Sequence, residues 1–369
     1  MHPARIAARA FALAVLVAVP LAASSSSRAV PRPSASPAPS ATPEPSAPAA
    51  VAGVPVPPRA SYRLFPALYR KDTGLLGEGE GTATGTESVY GPKPADPQAD
   101  AAPGQASDPN ERIPLVVDTD IVAFYGKPGA VRMGILGEYR KEELAVMLDG
   151  YVRLYDEHNG ERGAVGAFYI IYGTVWPAGE IGILADRVVK EWIDFAAERG
   201  MLVFLDHQIG KYTVEQATAK LLPWLEYPNV HLALDPEWRT TVPMQEIGSI
   251  TGDELNAAQR MVDDYLREKG IPGLRMLVVH QFNRKMIAAR ERVRADFDRV
   301  VLIHNSDGFG SPALKRLSYA MNAEATNMPL KGFKLFFKSR WPGAGYDEPL
   351  LRPEEVLALA PRPVLIMYQ

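Results

Sequence analysis

The chain has 369 residues, of which 47% are hydrophobic and 22% are charged, and its formal net charge is −3. This near-neutral charge argues against a general nucleic-acid binder, which carries a basic excess, and the hydrophobic content excludes global disorder. The sequence contains no cysteine, which excludes disulfides, thiolate metal sites, cysteine nucleophiles and a lipidated amino-terminal cysteine.

The first part of the chain has the pattern of a secretory signal peptide, which we place at residues 1–29. Arg5 and Arg9 precede an apolar run at 10–23 that is short for a membrane span, and a small-x-small cleavage site follows at 27–29. An uncleaved amino-terminal anchor is the alternative interpretation. The pattern predicts a secreted or extracellular protein, which could be associated with the cell wall. It predicts no stable membrane span after signal cleavage.

Two segments separate the signal from the folded domain. Residues 30–59 are rich in proline, alanine and serine and offer too little apolar surface to offset chain entropy, so we predict a disordered linker. Residues 60–111 are an irregular amino-terminal extension rich in glycine, threonine and proline. The folded domain is predicted at 112–369.

Short apolar segments alternate with amphipathic segments throughout the predicted domain. The apolar segments lie at 121–125, 167–172, 202–206, 230–235, 276–281, 300–305, 333–337 and 364–368. Helical periodicity marks the stretches at 141–158, 185–199, 214–225 and 254–269. Continuously apolar strands are typical of parallel sheets covered on both faces, so the pattern predicts an α/β fold, the (β/α)8 or TIM-like barrel.

A doubly wound open sheet is the alternative fold. It is disfavoured because no GxGxxG sequence follows the first strand. The chain stops at Gln369, directly after the eighth predicted strand, so the eighth helix is missing from the pattern. We expect part of residues 60–110 to cover the gap that this leaves.

Polar side chains gather at the carboxyl ends of the predicted strands, where barrel enzymes place their chemistry. Asp235 and Glu237 follow the fourth strand and are the candidate catalytic residues. The candidate substrate-binding residues are Tyr172, Asp206, His207, Gln208, Trp238, His280, Gln281, Asn305, Asp307 and Lys334. A lone histidine is more often a structural residue, but the coincidence of several strand ends predicts a polar cup.

Asp235 and Glu237 share one face of their strand because side chains alternate, and the opposite face carries apolar residues. We therefore expect both carboxyl groups in the barrel mouth, where their repulsion keeps one of them protonated. A carboxyl group with a raised pKa serves as a general acid, as in glycoside hydrolysis. In the alternative interpretation Asp235 caps the following loop and Glu237 pairs with Arg239.

Lys334 lies within an apolar strand, where a charge is costly unless it is paired. It either tunes a carboxylate or binds an anionic group as a functional residue, or it neutralises a buried aspartate as a structural one. No cofactor and no metal site are predicted, because no ligand spacing demands one. Carboxylates and His280 could nevertheless converge on a metal ion.

Several motifs give the chain a resemblance to a known family. They are LALDPEW at 232–238, IGS at 247–249, HQF at 280–282, DGFGS at 307–311 and RPVLIMYQ at 362–369. Over residues 125–369 the chain resembles an exported family of actinobacterial hypothetical proteins and predicted lipoproteins. The resemblance implies export and a TIM-barrel, glycosidase-like domain, without a defined chemistry. The chain departs from the lipoprotein members because it has no lipobox cysteine.

The Asp-x-Glu sequence after the fourth strand is similar to that of chitinase-like and muramidase-like barrel glycosidases. This similarity implies that Glu237 is the acid and that Asp235 supports it, orienting a 2-acetamido group in substrate-assisted cleavage. The chain departs from the chitinase-like pattern at Ala233, where that pattern has a further aspartate. The departure weakens the specific analogy, and a fold analogy alone does not establish function.

The favoured hypothesis is a secreted glycoside hydrolase that acts on a cell-envelope or environmental glycan by general acid catalysis from Glu237. Asp235, with Asp206 or Asp307, would supply the second carboxylate. The alternatives are a non-catalytic envelope- or glycan-binding barrel and a metal-dependent phosphodiesterase. The expected partner is a glycan or cell-envelope polymer, and nucleic acid is not an expected partner.

Overall fold

The structure is a computed structural model that describes residues 115–341 and 343–369, and its main feature is a closed barrel of parallel strands. The strands are β1 (Thr119–Gly126), β2 (Gly163–Val175), β3 (Leu202–His207), β4 (Val230–Leu234), β5 (Arg275–Gln281), β6 (Val300–Ser306), β7 (Lys331–Leu335) and β8 (Leu365–Tyr368). Each strand pairs in parallel with the next along the chain, and β8 pairs with β1, so the sheet closes. The predicted (β/α)8 barrel is confirmed, and the open sheet is wrong.

Six helices lie outside the barrel in the described part of the chain. They are α1 (Lys141–Asp156), α2 (Asp186–Ala197), α3 (Val214–Leu221), α4 (Gly252–Glu268), α5 (Pro312–Ala323) and α6 (Pro353–Leu357). No α-helix joins β5 to β6 there; two 3₁₀ turns and the short strand Ile287–Ala288, which pairs with Ile250–Thr251, fill that position. No helix follows β8 within the described residues.

The predicted signal peptide, linker and extension lie outside the described residues, as does the segment expected to cover the missing eighth helix. The described part begins at Leu115, inside the predicted domain of 112–369. A further short strand, Ile181–Ile183, pairs antiparallel with the end of β2 and adds a hairpin at the rim.

Local signals explain where the elements begin and end. The capping box of Thr251 and Glu254 opens α4, because each side chain accepts the other's backbone N–H. The predicted helix at 214–225 ends earlier, at Leu221, because Pro223 lacks an N–H and a 3₁₀ turn replaces the last part. Pro236 likewise follows the end of β4 and begins a 3₁₀ turn over Pro236–Trp238.

Two separate apolar cores follow from the alternation of side chains along the strands. One face of each strand packs against the helices, in a layer that includes Phe168, Leu232 and Val279. The other face fills the barrel with side chains such as Tyr169 and Phe204, whose rings stack 5.1 Å apart. A polar side chain on this inner face is therefore enclosed by protein below and can reach solvent only through the barrel mouth.

Candidate active site

Eight polar side chains converge inside the carboxyl-terminal mouth of the barrel, and we call them the mouth cluster. They are Tyr125 of β1, Tyr169 of β2, Asp206 of β3, Asp235 and Glu237 after β4, His280 of β5, Asp307 after β6 and Lys334 of β7. Every one of them except Glu237, which is half-buried, is no more than 5% exposed. Barrel enzymes place their catalytic groups at this end of the strands.

His280 is the centre of the hydrogen-bond network. Its Nδ1 lies 2.8 Å from Asp307 Oδ2 and its Nε2 lies 2.7 Å from the Tyr169 hydroxyl oxygen. Burial alone would lower the pKa of His280, but Asp307 and Asp206 outweigh it and raise the pKa to about 9. The imidazole is therefore a cation at neutral pH, and both of its N–H groups donate.

Asp307 carries the complementary negative charge. Burial alone would raise its pKa, but the cations of His280 and Lys334 outweigh burial and lower the pKa to about 2. Its Oδ2 lies 3.6 Å from Lys334 Nζ, and its Oδ1 accepts a hydrogen bond from the Asn305 amide. Lys334 thus neutralises a buried aspartate, which is the structural interpretation of this residue, while its ammonium stays within the mouth.

Tyr125 connects the two sides of the cluster. The Lys334 ammonium lies 3.7 Å above the Tyr125 ring centroid, and the Tyr125 hydroxyl donates to Asp206 Oδ2 across 3.0 Å. The other carboxylate oxygen of Asp206, Oδ1, is fully buried and has no hydrogen-bond partner in the described part of the chain. Burial raises the pKa of Asp206. An acceptor enclosed in this way is costly, so a ligand that donates to it would be stabilised.

Asp235 and Glu237 are separated by Pro236 and belong to one short turn. Asp235 Oδ1 accepts a hydrogen bond from the Glu237 backbone N–H at 3.1 Å and so caps the 3₁₀ turn. Arg239 does not pair with Glu237; its guanidinium lies 2.8 Å from Glu254 instead. Of the alternative interpretation, the cap formed by Asp235 is therefore present, and the ion pair between Glu237 and Arg239 is not.

The electrostatic environment favours the protonated forms of both acids. Burial, reinforced by Asp206 and Asp307 against the His280 cation, raises the pKa of Asp235 to about 7. Burial is the largest cause and the Asp235 charge the second largest of the rise in the pKa of Glu237 to about 8. Neither carboxyl group has a basic side chain within 4 Å among the described residues. Both can therefore give up a proton near neutral pH.

Three of the predicted residues, His207, Tyr172 and Gln281, lie behind the barrel wall, and a fourth, Gln208, bonds to the backbone at the end of β2. His207 follows the inward-facing Asp206 and so points outward, where burial lowers its pKa to about 4. The Tyr172 hydroxyl lies 3.4 Å from the Lys220 carbonyl oxygen, and Gln281 Oε1 lies 2.8 Å from His304 Nε2. Gln208 accepts a hydrogen bond from the Val175 backbone.

The two remaining predicted residues flank the cluster. Trp238 is half-buried on the 3₁₀ turn beside Glu237. Asn305 faces inward and reaches the site through its bond to Asp307. Among the predicted residues, the mouth cluster therefore contains Asp206, Asp235, Glu237, His280, Asp307 and Lys334.

A groove of about 490 Å³ lies beside the mouth, between the loops that follow β3 and β4. The loop after β4 lines it over Arg239 and Thr240 and again at 246–249. This loop is tied to the cluster, because the Gly248 N–H donates to the Glu237 carbonyl oxygen across 2.6 Å. The groove therefore places solvent next to the segment that carries the half-buried acid.

Lys315 of α5 supports the site although it is not among the sequence-predicted residues. Its ammonium donates to the carbonyl oxygens of Gly308 and Lys334 and lies 3.4 Å from Asp347 Oδ2. Asp347 accepts hydrogen bonds of 2.9 Å from the backbone N–H groups of Gly310 and Phe336. This pair joins the chain segments that follow β6 and β7, close to Asp307 and Lys334.

Replacing Lys315 by methionine should destabilise the protein by about 3 kcal/mol, because a buried carboxylate loses its cation. Equilibrium unfolding in urea at pH 7 measures the loss. Lys211→Met is the matched control, since Lys211 is exposed, and it should change the unfolding free energy by less than about 0.5 kcal/mol. Equal stability of the two variants would contradict a joining role for Lys315.

The chain matches no family model, and no curated protein matches it. Among solved structures, oxaloacetate acetylhydrolase in complex with oxalate is 12% identical, with 68% of this chain and 75% of that chain covered at a TM-score of 0.40. A second oxaloacetate acetylhydrolase structure is 13% identical, with the same coverage and a TM-score of 0.39. A chitinase from Chromobacterium violaceum is 13% identical, with 58% and 68% covered and a TM-score of 0.35. At these identities the likeness concerns the fold alone.

The prediction of a glycoside hydrolase is wrong. The chitinase, like the other two solved structures, has a TM-score below 0.5, so no glycosidase likeness beyond the fold supports that prediction. Asp235 and Glu237 also share one short turn in a buried network, instead of facing each other across an open cleft. Neither the binding barrel nor the phosphodiesterase gains support, and the predicted glycan or cell-envelope partner stays a prediction.

Within the described residues, no group of three or more histidine, aspartate and glutamate side chains is arranged to hold a metal ion. The same residues include no helix with the length and apolar character that a membrane crossing requires.

Proposed function

We propose that this barrel is an enzyme that transfers protons to and from a small polar substrate at the mouth cluster. The observation that supports this is the convergence of four carboxyl groups, one imidazole and one ammonium inside the carboxyl-terminal mouth of the barrel. A purely structural network would pair each buried charge, but Asp235 and Glu237 have no cation within 4 Å in the described chain.

The acids divide into two kinds, which suits acid–base chemistry. Burial alone would raise the pKa of Asp307, but the neighbouring cations outweigh burial and lower the pKa to about 2, so Asp307 is a fixed negative charge. Glu237 has a pKa raised to about 8 by burial and neighbouring carboxylates, so it carries a proton at neutral pH. Environments that shift the pKa values of similar groups in opposite directions in this way are typical of the acids and bases of an active site.

Each group then has a role. Glu237 donates a proton, because it is the one half-buried member of the cluster and its carbonyl oxygen accepts a hydrogen bond from Gly248, which lines the groove. Asp235 accepts a proton from the same substrate or returns one to Glu237. The His280 cation, held by Asp307, and the Lys334 ammonium stabilise negative charge that develops on a substrate oxygen.

Substrate turnover by the full chain tests this proposal. A panel of small esters, amides, lactones, 2-oxo acids and primary amines would be assayed between pH 5 and 10 with wild type, Glu237→Gln and the control Glu215→Gln, whose residue is exposed on α3. We expect turnover that falls above about pH 8 and a loss of about 10²–10⁴-fold in kcat for Glu237→Gln alone. Undiminished turnover by Glu237→Gln, or an inert wild type, would overturn the proposal.

We also propose that the chain is exported. Support comes from the basic residues, apolar run and cleavage site of residues 1–29. The amino-terminal sequence of the chain recovered from culture medium tests this, and an intact residue 1 in the mature protein would contradict it.

A further inference from the structure

The charges of the mouth cluster are unevenly distributed. Asp307 lies within 4 Å of both cations, but Asp206 approaches only His280 Nε2, at 3.9 Å. Asp235 and Glu237 have no ion pair in the described part of the chain. Asp206 lies near the end of β3, and Asp235 and Glu237 follow β4, whereas His280 and Lys334 belong to β5 and β7. One side of the mouth is therefore rich in unpaired carboxyl groups.

A second observation on the same side indicates a ligand. Asp206 is fully buried, and its Oδ1 has no hydrogen-bond partner among the described residues. Buried polar atoms are almost always bonded, so such an atom in the mouth of a barrel needs a donor from outside the protein. The group that satisfies it must donate hydrogen bonds, and positive charge on it would offset the surplus of acids.

We propose that the acid-rich side of the mouth binds a small primary amine as its ammonium ion, with N–H groups donated to Asp206 Oδ1 and to the carboxyl groups of Asp235 and Glu237. The inference rests on the proposed function, because it names the substrate class of the same cluster. A carboxylate ligand supplies acceptors where Asp206 Oδ1 needs a donor, and a neutral alcohol would supply one donor where the ammonium supplies three.

Amine binding at this position would be coupled to proton release. Burial raises the pKa values of Asp235 and Glu237 to about 7 and about 8 in the free protein, and a bound cation favours their ionised forms. The charged and titratable groups that face this pair from the other elements are Tyr125, Tyr169, Asp206, His280, Asp307 and Lys334. Affinity should therefore rise with pH between 6 and 8, while a primary amine with a pKa of about 10 stays charged.

Calorimetric titration of the full chain with ethylammonium chloride tests the proposal, with ethanol, sodium acetate, sodium chloride and magnesium chloride as comparison ligands. Repeating the titration at pH 7 in two buffers of different ionisation enthalpy gives the number of protons released. We expect saturable ethylammonium binding, release of about half a proton or more, and affinity at least about fivefold higher at pH 8 than at pH 6.

Two variants localise the ligand. Asp206→Asn should weaken ethylammonium binding by about 10-fold or more, because a charge-assisted hydrogen bond is lost. Asp194→Asn, at an exposed position of α2, should leave the affinity unchanged. Circular dichroism and thermal unfolding would establish that both variants are folded. If Asp206→Asn does not fold, titration of Glu237→Gln gives a second test, because this variant should release fewer protons than wild type when ethylammonium binds.

Two results would overturn the amine assignment: acetate or magnesium binding more tightly than ethylammonium, or ethylammonium binding that is insensitive to both Asp206→Asn and Glu237→Gln. Binding is measured without turnover, so its outcome is separate from that of the proposed function. Ethylammonium binding by an enzyme that is inert toward the substrate panel would support the amine site and refute the catalytic role. Turnover without ethylammonium binding would support the catalytic role and refute the amine site.

Discussion

Replacing Asp307 by asparagine is expected to destabilise the protein by about 3 kcal/mol at pH 6. The side chain keeps its shape but loses the charge that pairs with His280 at 2.8 Å and with Lys334 at 3.6 Å. Both cations are at least nine-tenths buried, so solvent cannot replace the missing carboxylate. Equilibrium unfolding in urea measures the loss, and NMR titration of the His280 ring should show that its pKa falls from about 9 toward or below the ordinary value.

The pH dependence of this difference follows from the two pKa shifts. Asp307, lowered to about 2, contributes stability above its unfolded pKa of about 3.8, and this is lost as pH falls toward 2. His280, raised to about 9, contributes stability below its unfolded pKa of about 6.5, and this is lost as pH rises through 9. The difference between wild type and Asp307→Asn should therefore be largest between about pH 4 and 6.5 and shrink on either side.

Asp264→Asn provides the control, because Asp264 is an exposed residue of α4. It should leave both the unfolding free energy and the His280 titration as in wild type, within about 0.5 kcal/mol. If Asp307→Asn behaved in the same way, the ion pair would be solvated and Asp307 could not hold the imidazole as a cation.

The eight strands could be predicted because their signals are local. Each barrel strand is covered on both faces, so it appears in the sequence as a short apolar run between helical segments. The ends of the elements follow from single residues as well, such as Thr251 at the start of α4 and Pro236 after β4. The position of the site could be predicted for the same reason, since polar residues cluster after those runs.

Which polar residues enter the mouth depends on alternation, and this explains the residues that lie elsewhere. His207 and Gln281 each follow an inward-facing residue, Asp206 and His280, and therefore point into the helix layer. The alternation of side chains, applied to the sequence alone, would have excluded both residues from the barrel mouth. It gives no direction for Glu237, because a 3₁₀ turn interrupts the period of two at Pro236.

Tyr169 and Lys315 could not be assigned to the site from the sequence, because their contacts depend on long-range geometry. Tyr169 reaches His280 across the barrel, 111 residues away, and the strand register that permits this is a property of the closed sheet. Lys315 reaches the strand ends from the buried side of α5. A reaction class cannot be predicted from the sequence either, because an acid pair suits proton transfer in many reactions and does not identify the bond that is broken.

Replacing Glu237 by glutamine is expected to increase stability relative to wild type as pH rises from 5 to 8. The pKa of Glu237 is raised to about 8 by burial, against about 4.5 in the unfolded chain, so the unfolded state binds fewer protons throughout this range. Glu237 by itself therefore lowers wild-type stability by about 2 kcal/mol as pH rises from 5 to 8, once its partial solvent exposure is allowed for. Glutamine cannot ionise, so the variant lacks this contribution, while Asp235 continues to act in the same direction.

Unfolding free energies of wild type, Glu237→Gln and Glu215→Gln at pH 5, 6, 7 and 8 measure the effect. Relative to wild type, Glu237→Gln should gain about 2 kcal/mol between pH 5 and 8, whereas Glu215→Gln should run parallel to wild type because Glu215 is exposed. Parallel curves for all three proteins would mean that Glu237 is already ionised at pH 5. A carboxyl group in that state could not donate a proton at neutral pH, so the same measurement decides whether the mouth cluster has its acid.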